Sequence, residues 1–261
     1  MRDFLRADRL SFAYGGNLVL EDVSFSVPQG AYVGIVGPNG GGKTTLLRLL
    51  LGLEQPTSGT VTLLGLPPRH ARRNGKVGYV PQRATQADLE FPATAEEVVR
   101  GGRTTVRGLL RRFTAEDERA IEHAVAMTGI EAYRGRRTGR LSGGRPQKVF
   151  VAPALAAGPS MLILDEPLTG IDQSSQEEFY AFLRSLNRSH GMTVLFVSHD
   201  VDVIAKEASS ILCLNRTLVA HCAPQELERH PGMERLYGRS VARIRHAHHH
   251  HHDGHSHHHH A

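Results

Sequence analysis

Gly37-Pro38-Asn39-Gly40-Gly41-Gly42-Lys43-Thr44-Thr45 combines a glycine-rich run with one lysine and a following hydroxyl, a spacing suited to holding a polyphosphate. Glycines let the backbone wrap an anion with its N–H groups. Lys43 neutralises the β and γ oxygens, and the Thr44 hydroxyl can ligate Mg²⁺. Further along, Leu141-Ser142-Gly143-Gly144 is a second anion-binding motif, with a hydroxyl and unobstructed N–H groups at the positive end of a helix. Two separate cradles predict a phosphate gripped from both sides, the second grip coming from another copy of the protein.

Acid–base and metal chemistry is expected elsewhere. Asp165 closes an apolar run, where its carboxylate can reach the Mg²⁺ shell, and Glu166 follows, placed to polarise an attacking water. His199, directly after the run ending Val197-Ser198, is a candidate contact for a γ-phosphate. Gln82 in Tyr79-Val80-Pro81-Gln82 is a neutral amide able to ligate Mg²⁺ and order water; read alone, it could equally be structural.

These residues need a scaffold with both strands and helices. Tyr32–Val36 is a short apolar strand running into the glycine loop. Thr44–Leu51 reads as a buried helix capped by Gly52. Leu10–Tyr14, Leu18–Val27 and Thr60–Leu64 read as strands of an N-terminal β-rich region. Met161–Leu164 and Val194–Val197 are continuous apolar runs, as parallel strands covered on both faces require. Phe179, Phe182, Leu183 and Leu186 recur between them at helical spacing. Strand, helix, strand gives an open α/β sheet. Residues 88–156 break the alternation as an inserted helical segment, with Thr114 and Glu116-Asp117 opening one helix.

The 261 residues suffice for one large domain, and 40% apolar with 22% charged residues is ordinary for a soluble globular chain. No stretch approaches the roughly 18 to 20 apolar residues of a bilayer span. Met1–Leu10 mixes charges freely, unlike a secretion signal, so the chain reads as cytoplasmic. Cys213 and Cys222 flank Asn215-Arg216 asymmetrically in a hairpin and are expected to be reduced and structural. Arginines cluster at Arg100, Arg103, Arg107, Arg111 and Arg112, and at Arg134, Arg136, Arg137 and Arg140. With net charge only +5 and few interleaved aromatics, they read as a solvated surface near anionic head groups rather than a nucleic-acid site.

Taken together, Tyr14, the phosphate loop, Gln82, Leu-Ser-Gly-Gly, Leu164-Asp165-Glu166-Pro167, Asp172 and His199 resemble, in order, an ABC-type ATPase over residues 5 to 240. The resemblance implies a P-loop NTPase ABC cassette of α/β class, with an N-terminal antiparallel β region and an inserted helical subdomain. Residues 1–87 and 157–240 would form the ATP-binding core, 88–156 the helical signature subdomain and 241–261 a His-rich tail. It also implies that Tyr14 stacks on adenine, Glu166 is the general base, His199 holds the γ-phosphate and Asp172 belongs to the nucleotide site. Two copies would sandwich two ATP, each held by Lys43 of one copy and Ser142, Gly143 and Gly144 of the other.

Gly78-Tyr79-Val80-Pro81-Gln82-Arg83, Phe91-Pro92-Ala93-Thr94, Val98 to Arg103 and Asp165–Asp172 look like the ATP-binding subunits of bacterial zinc and manganese importers; iron-chelate importers share part of the pattern. That implies ATP hydrolysis powering import of a divalent transition metal, zinc first and manganese second. The protein would work at the cytoplasmic membrane face, docked on an integral permease through residues 82–103 and served by a metal-binding solute-binding protein. A soluble ABC ATPase without transport is the rival; such proteins carry tandem cassettes or long insertions.

The tail supplies eleven histidines between His246 and His260, interrupted by Asp253, Gly254 and Ser256, unlike a purification tag. Neutral imidazoles without fixed spacing suggest Zn²⁺ buffering, sensing or storage. The chain departs from the family after its signature, with Arg145-Pro146-Gln147-Lys148 and then Ala152-Pro153-Ala154-Leu155. Pro153 inside a helix removes an N–H and costs about 3 kcal/mol. A kinked helix and low turnover are expected, with Pro153→Arg raising thermal stability or turnover; no change in either would refute this.

Overall fold

In the computed structural model, the described residues are 3–82, 92–108, 111–141, 145–227, 230 and 236. Continuous apolar strands, buried along almost their whole length, build the centre. They are β3 (Tyr32–Val36), β5 (Val77–Val80), β6 (Met161–Asp165), β7 (Thr193–Val197) and β8 (Ser210–Asn215), joined by β9 (Thr217–Cys222) in the sheet order β5-β6-β7-β3-β8-β9. The first five run parallel and β9 is antiparallel to β8. Odd and even positions feed different cores: Met161 and Ile163 pack on one side of β6, Leu162 and Leu164 on the other.

The odd side faces a second sheet, β2-β1-β4, formed by β1 (Asp3–Tyr14), β2 (Asn17–Pro28) and β4 (Ser58–Leu63), with helix α1 (Lys43–Leu50) between. Strand β1 starts seven residues before the Leu10 expected from sequence, because Leu5 and Ala7 pair with both β2 and β4. Helix α1 is capped by Leu51, with Gly52 beyond it at φ 63 in the left-handed region; the glycine serves the turn after the cap. A short helix α2 (Pro68–Arg73) leads into β5.

The even side is covered by α3 (Ala95–Arg107), α4 (Ala115–Thr128), α5 (Arg145–Ala156), α6 (Gln173–His190) and α7 (Val201–Glu207), with α8 (Pro224–Leu227) near the end of the described chain. Thr94 and Thr114 both start their helices with capping boxes, and their N3 partners are Glu97 and Asp117. Helix α5 runs from Arg145 to Ala156 with Pro153 in its interior. The backbone of Pro153 lies against buried Gly102 of α3: a Cβ there would sit 2.0 Å from the Pro153 carbonyl oxygen. Gly102→Ala is therefore expected to cost about 1–3 kcal/mol by overpacking, read as a lowered midpoint in denaturant unfolding.

The arginine clusters are not a free basic surface. Arg103 Nε donates to Asp117 Oδ1 at 2.7 Å, and Arg107 lies 3.0 Å from Asp117 Oδ2. Asp117 is buried, and its carboxyl is held far below the usual range by donors on Thr114 first and then by the arginines. Arg100 pairs with Glu118 and Glu96, and Arg134 with Glu96 and Glu122. Apart from Arg100–Glu96, one helical turn apart on α3, the sequence hid these pairings because the partners are 10 to 38 residues apart. Arg111, Arg112, Arg136 and Arg137 remain exposed.

Cys213 pairs across the hairpin with Ala220, while Cys222 faces Ile211; both thiols are free and buried. Burial pushes the Cys213 thiol up to about 12, so it stays neutral at pH 8. The folded protein should leave Cys213 unalkylated by iodoacetamide at that pH. Peptide mass spectrometry checks this, with full alkylation expected only after unfolding.

Candidate active site

Four neighbouring parallel strands end at one edge, and each delivers a residue there. Strand β3 runs into the glycine loop, β6 ends in Asp165 and precedes Glu166, β7 precedes Ser198-His199, and β5 precedes Pro81-Gln82. The carboxyl edge of an open parallel sheet is where ligands bind, because loops there converge between helix N-termini. A cavity of about 550 Å³ lies at this edge, lined by Tyr14, Asn39, Gly40, Lys43, Thr44, Thr45, Gln82, Glu166 and His199 among others.

The floor of the cavity is the start of α1. Gly42 caps the helix at φ 92, and a Cβ on it would lie 2.5 Å from Leu20 Cδ2, so only glycine fits. Lys43 is buried, with Nζ donating to the carbonyls of Gly37 at 2.9 Å and Pro38 at 3.0 Å. Burial lowers its pKa, opposed by the nearby Glu166 and Asp165 carboxylates.

Asp165 is 3% exposed, the Thr44 and Tyr79 side chains beside it oppose the effect of burial on its carboxyl, and Oδ1 has no hydrogen-bond partner among the described residues. Burial first, then the adjacent Glu166, raises its pKa. A buried carboxylate oxygen without a donor, touching a threonine hydroxyl at the phosphate loop, fits a hard divalent cation with oxygen ligands. Tyr79 also titrates late, pushed up to about 12 by burial and by Asp165.

Glu166 is gripped at both carboxylate oxygens. Gln82 Nε2 donates to Oε2 at 2.8 Å, and His199 Nε2 lies 2.5 Å from Oε1. The Glu166 backbone has φ 49, a left-handed conformation that costs a non-glycine residue about 1–2 kcal/mol. The strain sits where the chain leaves β6 and turns the carboxylate toward Gln82 and His199. Neither the clamp nor this conformation is readable from sequence; an amide, an acid and an imidazole on adjacent strand ends are the only hint.

Tyr14 is half-exposed at the cavity mouth, edge-to-face with Phe12 at 4.6 Å between ring centroids, and its hydroxyl reaches Glu54 at 3.4 Å. Asp172 does not line this cavity. It caps α6 by accepting from Ser175 N at 3.0 Å, and hydrogen bonds from Ser174 and Ser175 hold its carboxyl down at about 2. Ser142, Gly143 and Gly144 lie outside the described residues, as do Arg83, Phe91 and the histidines from 246 onward. Among the described residues, no group of three or more His, Cys, Asp or Glu is placed to hold a metal ion.

A strand–glycine loop–helix unit on a parallel sheet, with carboxylates on the neighbouring strand, defines a P-loop nucleotide-binding protein. Residues 20–169 match the family described as "ABC transporter". The chain is 34% identical over 230 residues to "Zinc uptake system ATP-binding protein ZurA" of Listeria innocua, covering 88% of this chain and 90% of that protein. It is 38% identical over 221 residues to "Manganese transport system ATP-binding protein MntB" of Halalkalibacterium halodurans, covering 85% and 86%. Its fold is similar to cbiO1 from Clostridium perfringens, part of the ABC transporter complex cbiONQ. There the TM-score is 0.77 at 25% identity, over 95% of this chain and all of that one. The chain belongs to the ABC transporter family and is an ABC-type ATPase that uses ATP and Mg²⁺.

Proposed function

We propose that this ATPase powers import of a divalent transition metal, zinc first and manganese second, as a homodimer docked on an integral permease at the cytoplasmic membrane face. The observation that carries the reading is the zinc and manganese naming of relatives matched over more than four-fifths of the chain. Among the described residues no helix is long and apolar enough to cross a membrane, so the cargo path belongs to the partner. A metal-binding solute-binding protein would deliver the cargo. The eleven-histidine tail would buffer Zn²⁺ on the inner side.

Within this reading, residues 1–87 and 157–240 form the ATP-binding core and 88–156 the helical signature subdomain. Tyr14 stacks on adenine, and Gly37 to Thr45 wrap the phosphates with Lys43 on the β and γ oxygens. Thr44, Asp165 and Gln82 would hold Mg²⁺, which neutralises charge developing on the phosphates. Glu166 takes the proton from the attacking water, and His199 holds both Glu166 and the γ-phosphate. Ser142, Gly143 and Gly144 of the second copy close the site, with Asp172 nearby.

The reading is tested by growth of cells lacking this chain in zinc-chelated medium. Growth should fail, return with added Zn²⁺ or the wild-type gene, and not return with Glu166→Gln. Rescue by Mn²⁺ alone would reassign the cargo, and growth indifferent to metal would overturn the importer reading.

A further inference from the structure

The geometry points to a second, separate metal site: His123 and His190 form a two-imidazole clip for a divalent transition-metal ion. His123 lies on the exposed side of α4, whose buried face packs toward α5, and His190 is the last residue of α6. Their ring centroids are 6.2 Å apart, the planes at 81°. Zinc bonded to two imidazole nitrogens at about 2.0–2.1 Å in tetrahedral geometry sets ring centroids about 5 Å apart. The rings are thus about 1 Å from ligating distance, within reach of small rotations of two exposed side chains.

Three observations favour an ion here over mere ring packing. Both residues are exposed, so the contact of their rings buries little apolar surface. His190 ends an 18-residue helix, where the negative end of the helix dipole favours a cation. The neighbouring carboxylate of Glu122 is taken up by Arg134 at 2.8 and 3.1 Å, which leaves imidazole as the ligand chemistry. Two neutral imidazoles with water at the remaining positions suit Zn²⁺, Ni²⁺ or Cu²⁺ and disfavour Mg²⁺. The bound ion would tie α4 to α6. This site stands whatever the cargo of the transporter.

The test uses the full chain with free Zn²⁺ held by a chelator buffer, so that the histidine tail cannot deplete it. Diethyl pyrocarbonate modification of each histidine is read by peptide mass spectrometry. His123 and His190 should lose reactivity together at one free Zn²⁺ concentration, with no protection by Mg²⁺. His123→Ala should raise the Zn²⁺ needed to protect His190 by about tenfold or more, and His190→Ala should do the same to His123. Protection of His190 at unchanged Zn²⁺ in His123→Ala would overturn the site. So would protection confined to the tail.

Discussion

Glu166→Gln is expected to lower ATP turnover by about 10²–10⁴-fold, the contribution of a positioned general base, while ATP binding persists. The argument rests on geometry. Glu166 is 10% exposed, and each of its oxygens is held, one by Gln82 and one by His199, so the carboxylate has a fixed aim at the cavity beside Lys43. Glutamine keeps the shape and one acceptor oxygen but cannot take a proton. The backbone strain at φ 49 is carried equally by both residues, so stability should change little. Single-turnover hydrolysis beside equilibrium binding of a fluorescent ATP analogue checks both halves. Turnover within tenfold of wild type would remove Glu166 from the role of base.

Lys43→Met should have the second large effect, with opposite consequences for binding and stability. ATP affinity or turnover is expected to fall by about 10²–10³-fold, as when one preorganised donor is removed from a charged centre. The free protein should be as stable as wild type or more so. Burial holds the Lys43 pKa down, which means that the folded chain disfavours the charged ammonium it encloses. Methionine fills similar space without that penalty. Thermal unfolding without nucleotide, set beside the nucleotide-induced rise in midpoint, separates the two effects. A protein that unfolds more readily in the absence of nucleotide would show that Lys43 is structural.

The parts of the site that follow each other in the chain were legible, and the parts that meet across it were not. Strand β3, the glycine loop and α1 are contiguous, so periodicity and glycine spacing identified them together. Strands β6 and β7 stood out because parallel strands buried on both faces read as unbroken apolar runs. Strand β5 is only four residues and did not stand out, although it brings Gln82 to Glu166 across 84 residues. The arginines misled for a related reason: Asp117 and Glu118 lie on a different helix, and no one-dimensional pattern joins them to Arg103 and Arg100. Asp172 was recognised from its motif, but its described contacts are those of a helix cap.

The alternation along β6 carries one further consequence. Because odd positions of this strand face α1 and even positions face α3 to α7, Asp165 falls on the side of Thr44 and the phosphate loop by parity alone. Insertion or loss of one residue between Met161 and Asp165 would carry the carboxylate to the opposite face without changing its chemistry. The pleat thus works as a counting device. The hydrophobic residues that hold the sheet together also fix, to the residue, which half of the molecule receives the charge.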